Sequence, residues 1–274
     1  MRQLFLLFLS LYGTLNSFSQ ITDSTSFFHK GKFYILWGYN RDWYAKSDIH
    51  FRNKDGDPSR QDNFGVYDFK IYDAVAHDRP DFDKLPDVIN ITVPQFNFRI
   101  GYYLDKKCTQ GFEINYDHAK YVVDNYQTVR MKGEIFGSTI DKDTILDPLY
   151  FHFEHTDGAN FWLINYVRRF SLFESLSGRS SLGMIAKAGA GFVMPRTDVT
   201  IFGNRINNNW HIAGPCAGVE AGMRAVFFRH LSFELTAKTV IARYIDCLVQ
   251  GKGHGQASQT LKAAEVLLNI GYTF

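Results

Sequence analysis

The chain has 274 residues, of which 45% are hydrophobic, 16% aromatic and 21% charged, with a formal net charge of +2. That composition excludes a disordered chain, and 3 cysteines with 7 aperiodic prolines exclude disulfide-dense and collagen-like classes. A charge so close to zero leaves no electrostatic footprint for nucleic acid, so no such partner is expected.

The N-terminus reads as an address. Met1-Arg2-Gln3 is a short basic lead, Leu4 to Leu15 an apolar core, and Asn16-Ser17-Phe18-Ser19 a small-residue cleavage site before Gln20. Residues 1–19 are therefore expected to be a cleaved secretory signal peptide, with residues 20–274 forming one domain. No cysteine at the junction marks a lipoprotein, and nothing downstream approaches the roughly 18 consecutive apolar residues of a membrane-crossing helix.

Beyond the signal the dominant pattern has period 2, the mark of a strand with two different faces. It begins with Phe33, Ile35, Trp37 and Tyr39 on one face, and recurs in Phe96, Phe98, Ile100 and Tyr102 against Gln95, Asn97, Arg99 and Gly101. Further along, Val219, Ala221, Met223 and Ala225 oppose Gly218, Glu220, Gly222 and Arg224. The last segment places Ala264, Val266, Leu268, Ile270, Tyr272 and Phe274 on one face and Glu265, Leu267, Asn269 and Gly271 on the other. Eight such segments are expected, at residues 32–44, 94–104, 109–121, 158–170, 180–194, 214–228, 231–244 and 259–274.

The connections alternate in length. Those at 105–108, 171–179 and 229–230 are short, whereas those at 45–93, 122–157, 195–213 and 245–258 are long and take up nearly half of the mature chain. Such alternation suits an all-β, eight-stranded, antiparallel, up-and-down transmembrane barrel with periplasmic turns and large extracellular loops. A soluble sandwich has no reason to alternate in this way. Ten strands is the alternative count. The prolines agree with the map: Pro58, Pro80, Pro86, Pro148 and Pro195 fall in loops, Pro94 opens a strand and Pro215 lies near the outer end of another. The first long loop carries strand-like runs of its own, such as Tyr67, Phe69 and Ile71, and should continue as a hairpin above the membrane.

A Ser-Phe-Ser signal end, eight alternating segments and the closing run Ile270-Gly271-Tyr272-Thr273-Phe274 make the chain resemble bacterial outer-membrane β-barrel proteins of the kind common among Bacteroidetes. The stretches Trp37-Gly38-Tyr39-Asn40-Arg41, Ser47-Asp48-Ile49-His50-Phe51, Asp78-Arg79-Pro80, Asp117-His118-Ala119-Lys120-Tyr121 and His155-Thr156-Asp157-Gly158 are similar to uncharacterised members of that group. The resemblance implies insertion into the cell outer membrane, with Ile270, Tyr272 and Phe274 presented to the barrel-assembly machinery. It transfers no catalytic residue.

An eight-stranded barrel has a lumen that side chains can fill. Arg99, Arg169, Lys187, Arg224 and Lys238 share the inward phase with Glu113, Asp117, Glu220, Glu234 and Glu265, which suggests a paired, plugging charge network. Outside, a lipid-modifying enzyme would need a nucleophile, a base and an orienting carboxylate within reach. Its candidates are Ser47, His50, Asp78, Asp117, His118, His155 and Asp157, although no G-x-S-x-G motif is present. His152 and His155 are spaced for one helical face, but a strand sends them to opposite faces, so no metal or other cofactor is expected. Only Cys216 and Cys247 lie at the same end and could pair. The leading expectation is a monomeric structural or surface-binding barrel in contact with outer-membrane lipid and lipopolysaccharide. An enzyme acting on lipopolysaccharide acyl chains and a narrow channel are the alternatives.

Overall fold

The computed structural model describes residues 32–56, 65–78, 95–155, 157–251 and 254–274. The expected signal peptide, together with Pro58, Pro80, Pro86 and Pro94, lies outside them. Among the described residues all regular structure is strand. In chain order the strands are β1 (Phe33–Tyr44), β2 (Ser47–Asn53), β3 (Tyr67–Ala74), β4 (Ala76–His77), β5 (Phe96–Tyr103), β6 (Gln110–His118), β7 (Tyr121–Val123), β8 (Thr128–Ile135) and β9 (Ser138–Ile145). They continue with β10 (Phe151–His155), β11 (Phe161–Glu174), β12 (Ser181–Val193), β13 (Asp198–Ile201), β14 (Asn204–Asn207), β15 (Gly214–Phe227), β16 (Leu231–Leu248) and β17 (Gln256–Thr273).

Eight of these close into an antiparallel ring in the order β1, β5, β6, β11, β12, β15, β16, β17 and back to β1. They are the eight segments expected from the alternation, and closure leaves the ring no unpaired edge. One register row runs from Tyr34 through Gly101, Glu113, Asn165, Gly189, Gly218, Val240 and Ala263 and returns to β1 at Tyr44, ten residues further along. That stagger tilts the strands and fixes the width of the barrel. Three glycines in the row give room to the large inward side chains beside them.

The two faces of the ring differ chemically. Outward-facing Trp37, Ile114, Ile164, Val219, Leu235 and Leu268 are each between 49% and 63% exposed. Their inward neighbours in sequence include Glu113, Asn165, Glu220 and Glu234, all buried.

Four segments differ from the sequence reading by three residues or more at an end. The third segment leaves the ring at His118, and Tyr121–Val123 forms β7 against β4 and β10. The fourth runs on to Glu174 through a bulge between Ser171 and Phe173. The last two extend past the ring: β16 reaches Leu248 through a bulge after Tyr244, and β17 starts at Gln256, where its first four residues pair with β2.

The long connections fold into a second β-structure over one mouth of the ring. From β17 it continues through β2, β3, β8 and β9, and beside it runs a ladder of β4, β7, β10, β13 and β14. Ile49, Phe51, Phe69, Ile71, Phe153 and Val199 are at most 1% exposed and form an apolar core continuous with the upper inward residues of the ring, Phe161, Tyr244 and Leu261. Phe51 stacks on Phe69 at 5.4 Å and meets Phe153 edge-on at 5.3 Å. Each such ring stabilises the fold by roughly 1.5–3 kcal/mol relative to exposure. The interior thus has two compartments, polar and charged within the ring and apolar within the cap.

Candidate functional site

The most concentrated chemistry lies inside the ring. Long cationic side chains from one wall reach carboxylates on others because alternation points them all at the same axis. Arg99 on β5 pairs with Asp117 on β6 at 2.6 Å and reaches Glu220 on β15 at 3.7 Å. Lys187 on β12 contacts Glu113 at 3.0 Å, Glu220 at 3.0 Å and Glu234 at 2.6 Å. Arg224 donates from Nε to Glu234 Oε2 at 2.7 Å and from Nη1 to the Tyr103 hydroxyl at 2.7 Å, with its guanidinium 4.1 Å from the centre of the Tyr34 ring. Tyr34 donates to Glu113 Oε2 at 2.9 Å. Lys238 pairs with Asp117, donates to Asn115 Oδ1 at 3.0 Å and lies 3.8 Å from Glu265. All of these side chains are buried.

Nine of the ten residues expected in this network occupy the lumen. Arg169 does not join it: it sits near the turn end of β11, half-buried, and donates to Ser181 Oγ at 2.8 Å. Asp42, absent from the expectation, is buried on the inward face of β1 and takes two bonds from Asn40 Nδ2 at 3.0 and 3.1 Å. Its signal was available, since it continues the even-numbered phase opposite Trp37 and Tyr39.

The seven catalytic candidates are spread over different partners, apart from Ser47 and His155, which meet at Gln259. His50 bonds Asp68 at 2.6 Å, Asp78 pairs with Arg41 at 3.0 Å, Asp117 belongs to the lumen, and Asp157 pairs with Arg196. His118 Nδ1 donates to Asn160 Oδ1 at 2.9 Å, and the ring stacks on Phe96 at 4.9 Å. Ser47 donates to Gln259 Oε1 at 3.1 Å and lies 3.0 Å from the Tyr121 hydroxyl. His155 shares Gln259, whose Nε2 lies 3.5 Å away, and has Thr197 Oγ1 3.2 Å from its Nδ1. Ser47 and His155 are both buried beneath the cap core. Burial pushes the His155 ring down to about 3, with only partial opposition from Glu154, so the imidazole is neutral.

His152 and His155 do lie on opposite faces of β10: His152 faces Glu154 at 3.2 Å, while His155 stacks on Tyr244 at 5.1 Å. Among the described residues no three His, Cys, Asp or Glu side chains converge as metal ligands. The three thiols are unpaired, with Cys216 and Cys247 both buried in the cap core. At the closing strand, Phe274 N donates to Phe33 O at 2.8 Å and its ring lies 5.2 Å from Phe33, while Ile270 and Tyr272 face outward.

No protein-family model and no curated protein sequence matches the chain. Among solved structures it is similar to Neisserial surface protein A, at 10% identity over 88% of this chain and 97% of that one, with a TM-score of 0.36. It is also similar to Ail, the attachment invasion locus protein of Yersinia pestis, at 11% identity over 90% and 100% of the two chains, with a TM-score of 0.34. The outer membrane protein OprG from Pseudomonas aeruginosa gives 10% identity over 90% and 97%, with a TM-score of 0.37.

Proposed function

We propose that the chain is an outer-membrane barrel with a sealed lumen, whose task is structural or surface binding and is carried by its folded cap. One observation supports this above all: the ring turns aliphatic and aromatic side chains outward and closes buried ion pairs across its axis. In a water-soluble fold that polarity would be reversed. Arg99 and Lys187 span from wall to wall, so an ion entering the ring would have to break several pairs at once, which weighs against a channel. On this reading the partners are outer-membrane lipid and lipopolysaccharide along the belt, and the assembly machinery at Ile270, Tyr272 and Phe274, with the barrel acting as a monomer. The cap, roofed over its own apolar core, is the surface available to anything outside the cell.

The test is to express the full chain, fractionate membranes and reconstitute the purified protein in planar bilayers. Recovery in the outer membrane, heat-modifiable mobility and electrical silence are expected. Partition into the aqueous phase would remove the membrane reading, and steady conductance would remove the sealed lumen. Hydrolysis of lipopolysaccharide acyl chains that is lost in Ser47→Ala or His155→Ala would move the function to an enzyme built on the residues that share Gln259.

A further inference from the structure

Among the described residues, buried carboxylates inside the ring outnumber buried cations. Six carboxylates, Asp42, Glu113, Asp117, Glu220, Glu234 and Glu265, are buried with four cations, Arg99, Lys187, Arg224 and Lys238. Glu113, Asp117, Glu220 and Glu234 each have a cation within 3.0 Å. The two left over are neighbours: Asp42 and Glu265 stand directly opposite each other across the β1–β17 pair, both facing inward. Among the described residues Asp42 has no cation at ion-pair distance. Glu265 has only Lys238 at 3.8 Å, and that ammonium is already held by Asp117 and Asn115.

The polar atoms around this pair are short of a positive partner. Among the described residues neither Glu265 oxygen has a hydrogen bond, and neither does Asn40 Oδ1 or Gln95 Oε1, although all three residues are at most 1% exposed. Asn40 and Gln95 are turned so that their N–H groups face Asp42, at 3.0–3.1 Å and 3.0 Å respectively. A half-turn of each carboxamide exchanges donor for acceptor without moving the backbone, at the cost of the hydrogen bond that Gln95 Nε2 donates to Asn40 O at 2.9 Å. The same carboxylate would then face two amide oxygens as well as Glu265. The other groups packed here are Asp78, whose Oδ2 accepts from the Asp42 N–H at 3.2 Å and is paired with Arg41, and the Tyr44 hydroxyl, 3.5 Å from Asp42 Oδ2.

We propose that this corner of the lumen, where the charged compartment meets the apolar cap, binds one hard divalent cation between Asp42 and Glu265, with the carboxamide oxygens of Asn40 and Gln95 as further ligands. Two carboxylates without a close cation in a water-poor interior must either stay protonated or take up a counter-charge, and a cation supplies the second. A donor set made only of oxygen, with no thiolate or imidazole, selects Ca²⁺ or Mg²⁺ over zinc or copper. Ca²⁺ fits better, because strands in fixed register tolerate its irregular coordination more easily than the strict octahedron of Mg²⁺. Bound there, the ion would tie β1 to β17, the first and last strands of the ring.

The experiment uses the full chain folded in detergent micelles, once with Ca²⁺ present and once with a chelator. Equilibrium dialysis should find one tightly held Ca²⁺ per chain, and Tb³⁺ in its place should luminesce through Tyr44 and Trp43. Ca²⁺ should also raise the unfolding temperature. In Asp42→Asn/Glu265→Gln, checked for folding by heat-modifiable mobility, Tb³⁺ affinity should drop roughly tenfold or more, because carboxylate count sets affinity, and the Ca²⁺ shift should vanish. Asp141→Asn on the cap surface should change neither. Should the double variant fail to fold, Glu265→Gln alone and the dialysis of the unaltered chain still decide. Less than one ion per chain, or Tb³⁺ emission indifferent to both substitutions, overturns the proposal. A protonated-carboxyl infrared band lost in the double variant would assign the surplus to protons instead.

Discussion

Tyr34 lies across Gly101, its register partner on the neighbouring strand, so closely that a Cβ on Gly101 would sit 2.0 Å from Tyr34 Cζ. The missing side chain is what lets the ring reach over and place its hydroxyl on Glu113. Gly101→Ala should therefore displace Tyr34 and cost about 1–3 kcal/mol, the usual range for overpacking. Urea unfolding in lipid vesicles measures it, and adding Tyr34→Ala should give less than the sum of the two single losses, because the same ring is involved in both.

The outward belt makes a prediction that separates lipid from water. Leu268 is 59% exposed in the middle of β17, and Leu149 is 82% exposed on the cap. Leu268→Arg should destabilise the protein in a bilayer by about 2–4 kcal/mol if that surface meets hydrocarbon. Leu149→Arg should stay within about 0.5 kcal/mol, as surface substitutions do. Equal effects at the two positions would argue that both face water.

Arg224 contributes to the lumen through Glu234, Tyr103 and the Tyr34 ring together. Removing one member of a buried pair strands the other, at about 3–5 kcal/mol. Arg224→Met should show a loss of that size in equilibrium unfolding. Arg224→Met/Glu234→Leu should recover part of it, because the stranded carboxylate is gone.

His155 sets a pH dependence. An unperturbed histidine takes its proton near pH 6.5, whereas the buried ring, with its charged form disfavoured by desolvation, holds off to about 3. The unfolded chain thus binds a proton that the folded chain refuses, and stability from this group falls as pH drops from about 6.5 towards about 3. His155→Phe keeps the ring stacked on Tyr244 and cannot titrate. It should be less stable than the unaltered protein by roughly 1–2 kcal/mol at neutral pH, through lost hydrogen bonds. That gap should narrow and then reverse as the pH is lowered. Parallel profiles for the two proteins would rule the account out.

Much of the ring was legible because each of its strands is one face repeated. Val219 and Met223, Leu235, and Leu268 each fall on the apolar phase of their own strand and share the outward wall in space. The same phase marked Glu113, Glu220 and Glu234 as inward. Arg169 has the right parity yet lies beyond the network, because parity says which face a residue takes and not how far along the axis it stands. The cap was less legible. Tyr67, Phe69 and Ile71 announced a strand, but short runs such as Tyr121–Val123 and Asp198–Ile201 pair with segments far away in sequence and carry no periodic signature of their own.

By itself the sequence determined the eight alternating segments, their inward and outward faces, and the alternation of short turns with long loops, because period 2 is a local property that two contrasting environments impose on a single strand. Only the tertiary structure decided which charges meet. Asp42 and Glu265 are separated by most of the chain, and closing β1 against β17 with a ten-residue stagger makes them neighbours. Ser47, Gln259 and His155 likewise come together through three different segments. Ion pairing and ligand geometry depend on distances of a few ångströms between remote strands, and those distances are set by register and closure rather than by any local pattern.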